Sequence, residues 1–213
     1  MITTEDQARE YCADLCAAGY FDAGAMERLD AFITLLAQEN AQQNLISTNS
    51  LALVWQRHIA DSLQLLTHVP HETSPWLDLG SGAGMPGLVL ALARPDLTFH
   101  LVESRKRRVA WLDSVKQAFS LDNCHVHCAR LENVESMPMA VICARAFAPL
   151  EKLLRLSARF STQQTVWWLP KGRSAAQELS QQPESVREMF HVEQSVTDPQ
   201  AGIVKGQGRP PIQ

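Results

Sequence analysis

Apolar residues recur at spacings of three and four through the first 45 positions, where Leu29, Phe32, Ile33, Leu36 and Ala37 mark one stripe. That period predicts helix. A second helix is predicted over 51–66, with Leu53, Val54, Ile59, Leu63 and Leu66 on its buried side and Pro70 beyond its end. Residues 71–75 read as a loop. From Trp76 the pattern changes to short apolar runs alternating with helical periods. Strands are predicted at 76–80, 98–103, 125–128, 140–143 and 166–169, with helices at 88–93, 107–119, 150–160 and 175–179 between and after them. Strand-like pieces near 190–196 and 203–204 follow. Strands separated by helices pair in parallel, with helices on both faces. The expectation is an α/β, Rossmann-like, mostly parallel sheet at 71–205, a helical extension at 1–70 and a flexible tail at 206–213.

Composition narrows the class. The chain has 213 residues, 46% apolar and 20% charged, enough for one domain with a substantial core and unlike a disordered or collagenous chain. No apolar run is long enough to span a bilayer, and MITTEDQARE lacks the features of a signal peptide, so a cytoplasmic protein is expected. Five cysteines, an odd number, are then expected as reduced thiols. The run Cys124-His-Val-His-Cys128 alternates as a strand does and has no Cys-x-x-Cys hooks, so no metal is expected. Net charge is −4, which does not advertise a nucleic-acid binder, yet Arg105-Lys106-Arg107-Arg108 forms a local basic run.

The most informative segment is Asp78-Leu-Gly80-Ser-Gly82-Ala-Gly84-Met85-Pro-Gly87, which follows a strand and opens a helix. Backbone approaches a ligand there, at the carboxyl edge of a parallel sheet. A dinucleotide and S-adenosylmethionine both suit such a loop. Gly82 to Gly87 satisfies the dinucleotide spacing, a weak match taken alone. Asp78 would face a ligand's ammonium but repel a pyrophosphate, and Gly80, Gly82 and Gly84 make a wide turn suited to a methionine moiety. Glu103, ending the second strand, suits ribose hydroxyls in either case. The balance favours S-adenosylmethionine.

DLGSGAGMPG resembles the first motif of class I S-adenosylmethionine-dependent methyltransferases. With Arg57-His58-Ile-Ala-Asp61-Ser62 upstream and Arg145-Ala-Phe-Ala148 downstream, the chain resembles the RsmG (GidB) family of 16S ribosomal RNA guanine-N7 methyltransferases. The likeness runs over about 25–175 and includes Asn44-Leu45 and Leu169-Pro-Lys171-Gly172. It implies cofactor contacts at Gly80 and Met85, at Leu131 and Glu132, and at Arg145 beside the cofactor. Glu103 stands where the family usually has aspartate. Where family members often carry an arginine-histidine pair, this chain reads Gln200-Ala-Gly-Ile-Val-Lys205, leaving Lys205 or Arg209 as substitutes.

Guanine N7 has an in-plane lone pair and no proton, so methyl transfer to it needs alignment more than a general base. Arg145 is accordingly the one catalytic candidate, as a positioner of cofactor and substrate. Arg57, Lys106, Arg107 and Lys171 are candidates for RNA phosphate, although Arg57 and Asp61 at i, i+4 could equally form a helix pair. His58 caps a cleft or packs under it. Phe147 stacks on a flipped base or belongs to the core. The implied partner is 16S rRNA in the small ribosomal subunit, met as a monomer away from any membrane, with a pre-formed particle preferred to naked RNA. Two rivals stay open: a nicotinamide-dependent oxidoreductase using the Gly82–Gly87 turn, and a non-catalytic ribosome-assembly factor binding RNA through its basic run.

Overall fold

The computed structural model describes residues 1–211. Helix α1 (Glu5–Ala17) starts at Thr4, whose hydroxyl accepts from the Gln7 amide, and Glu5 and Asp6 complement the positive end of the helix. Helix α2 (Ala25–Gln43) buries Leu29, Phe32, Leu36 and Asn40 and ends on left-handed Asn44. Ala37, expected on the buried stripe, is exposed. An ideal helix drifts relative to a seven-residue repeat, which carries the buried row to Asn40.

The single helix expected over 51–66 is instead four short pieces. They are α3 (Thr48–Leu51), a π-helical turn (Trp55–Ala60), α4 (Asp61–Leu63) and a 3-10 turn (Gln64–His68). Changed winding alters which side chains face inward, and Leu53, expected in the core, is exposed.

The remaining elements follow the predicted order, with α9 added where no helix was expected and the helix expected over 150–160 finishing in a 3-10 turn (Ala158–Phe160): β1 (Trp76–Leu79), α5 (Gly87–Ala93), β2 (Phe99–Glu103), α6 (Lys106–Ala118), β3 (Cys124–Cys128), β4 (Val141–Cys143), α7 (Leu150–Ser157), β5 (Val166–Gly172), α8 (Ala175–Ser180), α9 (Glu184–Arg187), β6 (Phe190–Gln194) and β7 (Gly202–Gln207). Strand order is β3-β2-β1-β4-β5-β7-β6, with β7 antiparallel to both of its neighbours and every other pair parallel. Strand β5 runs past Pro170, where it was expected to stop, because the register shifts between Pro170 and Gly172. Proline is tolerated at such a bulge.

The tail expected to be loose from 206 is ordered at its start. Gly206 and Gln207 lie in β7, and the Gly208 carbonyl accepts from Trp167 Nε1 at 2.8 Å. Burying the Trp167 indole demands a partner for its N–H, and the chain supplies one there. Residues 212–213 of that tail lie outside the described residues.

Both faces of the inner strands are covered, which is why β1 and β4 read as nearly continuous apolar runs, while the edge strands β3 and β6 are partly exposed and alternate with histidine. Trp76, Phe99 and Leu101 pack with α5, α6 and the N-terminal helices. Leu77, Leu79, Ile142 and Trp167 pack with α7 and α8 on the other face. The N-terminal helices share the first core, and Arg28 Nε of α2 donates to the Leu92 carbonyl near the end of α5 at 2.7 Å.

Candidate functional site

Strand β1 pairs with β2 on one side and β4 on the other, so the connections leaving the carboxyl ends of β1 and β4 diverge. That divergence opens a crevice, the usual ligand position in such sheets. The loop after β1 turns on Gly80, Gly82 and Gly84, all at positive φ (71°, 55° and 105°). Gly80 matters doubly: a Cβ there would sit 2.7 Å from the Phe147 ring, so the loops after β1 and β4 meet only because it has none.

Two carboxylates hold this loop. Glu103 accepts from the Gly82 amide (3.1 Å) and the Arg105 amide (2.8 Å), one bond per oxygen. Each oxygen keeps capacity for a further donor, as ribose recognition requires. Asp78 is buried and its Oδ2 accepts from the Gly87 amide at 3.1 Å. Its carboxylate therefore lies beneath the loop, off the cavity wall where the sequence reading put it. Burial raises the Asp78 pKa to about 6, against hydrogen bonds from Ser81 and Gly87 that lower it.

Two cavities flank the loop after β4. The smaller, about 570 Å³, is lined by Gly80, Gly82, Met85, Glu103, Leu131 and Glu132, with Arg145. The structure thus gathers every expected cofactor contact except Asp78 and Gly84 on one wall. The larger, about 770 Å³, holds Arg57, His58, Asp61, Lys171 and Asp198, and again Arg145. Residues 145–148 line both and form a shared partition. Within it Ala146 has φ of 54°, a left-handed conformation unusual for a residue with a side chain and of the kind that clusters at functional sites.

Arg145 is fixed on three sides. It donates to the Arg57 carbonyl (3.0 Å), meets His58 Nδ1 at 3.0 Å and lies 3.5 Å from Asp61 Oδ2. Burial lowers its pKa and the carboxylates of Asp61 and Asp78 oppose that, so it remains a cation. Burial and the charges of Arg145 and Arg57 push the His58 pKa down to about 3, leaving its imidazole neutral. The segment 195–201 closes the far side of the larger cavity: Thr197 Oγ1 donates to Asp61 Oδ1 (2.8 Å), and the Val196 amide donates to Gln64 Oε1 (3.0 Å).

The expected RNA cations divide. Arg57 is half-exposed at the larger cavity, 3.5 Å from Asp198. Lys106 and Arg107 are exposed but stand outside both cavities, while their neighbours Arg105 and Arg108 line the smaller one. Lys171 is largely buried, paired with Glu178 at 2.9 Å and donating to the Ala148 carbonyl. It braces the partition from β5. Lys205 lies over the Trp168 ring and 3.4 Å from Glu193. Sequence reasoning did not single out Arg105, Arg108 or Asp198; for the two arginines the signal was present in the basic run, which gave no sign of which cations turn inward.

The parallel sheet, its reversed β7 and the glycine loop at the crevice define a class I methyltransferase. Precorrin-6y C5,15-methyltransferase from Geobacter metallireducens has the same fold (TM-score 0.54, 12% identity, 78% of this chain and 92% of that one). So has a mutant of MtNAS in complex with S-adenosylmethionine (TM-score 0.54, 14% identity, 96% of this chain and 89% of that one). The family described as rRNA small subunit methyltransferase G matches residues 25–203. Proteins named ribosomal RNA small subunit methyltransferase G are 57% identical in Erythrobacter litoralis (98% of this chain, 99% of that protein) and 50% identical in Novosphingobium aromaticivorans (96% and 89%). The chain belongs to this family.

Proposed function

We infer that the protein transfers a methyl group from S-adenosylmethionine to N7 of a guanosine in the 16S rRNA of the small ribosomal subunit. The observation that carries this reading is the partition at 145–148, which puts one wall between two cavities at the sheet's crevice. Family membership supplies the substrate class.

The smaller cavity fits the cofactor: its volume is in the range of small-molecule sites, and Glu103 has acceptor capacity to spare. Gly80, Gly82 and Met85 would hold the methionine moiety, Glu103 the ribose, and Leu131 and Glu132 the adenine end. When bound, S-adenosylmethionine supplies a methyl group already activated on a sulfonium. Guanine N7 would take that methyl group through its own lone pair, leaving S-adenosylhomocysteine, so no residue of the protein has to remove a proton. The protein's task is alignment, for which Arg145 is the positioning group that touches both cavities. Arg57 and the exposed Lys106 and Arg107 would meet RNA phosphates.

In this reading residues 71 onward form the catalytic core, and 1–70 are an extension that carries Arg57 and His58. The protein works in the cytoplasm as a monomer on the small subunit. Among the described residues no helix is long and apolar enough to cross a membrane. The test uses purified protein, labelled S-adenosylmethionine and small subunits from cells lacking this enzyme. Label is expected as N7-methylguanosine at one position and lost in Arg145→Ala. Cofactor binding without label would keep the fold and reject the substrate.

A further inference from the structure

Behind Arg145, three stretches of chain far apart in sequence meet: the start at Ile2, the turns at 55–64 and the β6–β7 connection at 195–201. Gln64, Ser195 and Thr197 are buried there. Polar groups buried so completely have to bond to one another. The directions of those bonds are fixed. A carboxylate only accepts, so the Thr197 hydroxyl gives its hydrogen to Asp61 Oδ1 at 2.8 Å. Ser195 Oγ, 2.9 Å from Thr197 Oγ1, must then donate to it, and itself accepts from the Thr197 amide (3.2 Å) and Gln64 Nε2 (3.3 Å). The two hydroxyls form a chain aimed at Asp61, in which each bond polarises the next.

Asp61 uses its oxygens differently. Oδ1 takes the short bonds, from Thr197 and, at 2.9 Å, from Gln64 Nε2. Oδ2 faces Arg145 at 3.5 Å, with the arginine and aspartate side chains 22% and 19% exposed. An ion pair that long and that wet does little to fix its own geometry. The anchoring of Oδ1 does so instead, because it sets the plane of the carboxylate and hence the place of Oδ2. The segment 195–201 has other ties of its own. The Ile2 amide donates to the Val196 carbonyl (2.8 Å), the Val196 amide to Gln64 Oε1 (3.0 Å), and Gln56 Nε2 to the Thr197 carbonyl (3.1 Å). Within that segment, the Thr197 hydroxyl is the group that bonds the carboxylate.

We propose that Thr197 is a positioning residue for methyl transfer: through Asp61 it holds the Arg145 guanidinium in place at the partition. The inference rests on the methyl-transfer reading above, with Arg145 as the aligning group. It gives the β6–β7 connection a part in the reaction. That connection touches the larger cavity alone, yet Asp61 links it to a side chain that lines both. The other contacts of Arg145, to the Arg57 carbonyl and His58, belong to a single turn. Two neighbouring residues on one turn leave the guanidinium free to swing with that turn; the carboxylate, held from β6–β7, ties it to the far side of the cavity.

The test measures single-turnover methyl transfer to small subunits lacking the modification, with cofactor and particle both saturating. Thr197→Val keeps the shape and removes the hydroxyl. Transfer is expected to slow by roughly tenfold, the scale of one hydrogen bond to a charged group. Particle affinity should change by less than the rate, and Thr197→Ser should restore the rate. Asp61→Asn keeps an oxygen for Thr197 but turns an amide N–H toward Arg145, so it should slow transfer by itself. Adding Thr197→Val to it should then have little further effect, since both act along one path. If the valine variant does not fold, Thr197→Ala set beside Thr197→Ser makes the same comparison. With the wild type active, an unchanged rate in Thr197→Val, or effects of the two substitutions that multiply, overturns this inference alone. No wild-type labelling overturns the methyl-transfer reading and the inference with it.

Discussion

Asp78 shows how one carboxylate can belong to a ligand loop without facing the ligand. Its neighbours, Gly87 and Cys143, anchor it inside the sheet edge, and burial raises its pKa from 3.8 to about 6. A folded-state value above the unfolded one means that the native protein holds this proton more tightly. The resulting stabilisation is full below about pH 4 and is lost as pH rises through 6. At pH 8 the ionised carboxylate should cost on the order of 3 kcal/mol relative to its protonated form. Asp78→Asn, which keeps an acceptor for Gly87, is therefore expected to melt close to wild type at pH 5 and to gain on it at pH 8. Melting curves whose difference does not change with pH would show that the site is more polar than its burial implies. The positive-φ turn on Gly80, Gly82 and Gly84 and the placing of Glu103 at the end of β2 were legible from the sequence because both features are local. The direction in which Asp78 points was not, because Gly87 competes for it nine residues on.

The inner strands of the sheet were legible for the same physical reason that they are stable: buried on both faces, they need nearly uninterrupted apolar runs such as Trp76–Leu79, whereas β3 and β6 at the edges showed themselves by alternation. The segment from 48 to 68 was misread because one hydrophobic period fits several helix windings. Its π-helical turn is capped from a distance, with Glu5 accepting from the Trp55 and Gln56 amides at 2.9 and 2.8 Å across fifty residues of sequence. No local pattern announces such a cap. Glu5→Ala should leave two backbone donors short of partners and lower unfolding stability by about 1–3 kcal/mol. Because that turn supplies the Arg57 carbonyl and His58 that hold Arg145, kcat should fall as well, and by more than S-adenosylmethionine affinity, to which Gly80, Gly82 and Glu103 of other elements contribute. Unfolding in denaturant beside a cofactor titration checks both halves. Unchanged stability would mean that water replaces the carboxylate without loss.

Across the whole molecule, sequence motifs named the pieces of the site but not their division into two chambers. Arg145-Ala-Phe-Ala148 reads as one motif, and only the fold shows it lining a cavity on each side. The closing segment 195–201 was equally hidden, because Asp61 and Thr197 are 136 residues apart. The partition also bears on the order of events in turnover. With separate chambers for the two reactants, neither has to enter before the other, so binding should be random in order. On the proposed placement of the reactants, S-adenosylhomocysteine should then compete with S-adenosylmethionine alone, and the methylated particle with the unmethylated particle alone; a methylated particle that does not compete with its unmethylated form would instead show an ordered entry. Competition of S-adenosylhomocysteine with both in a product-inhibition study would mean that the wall gives way once either side is filled.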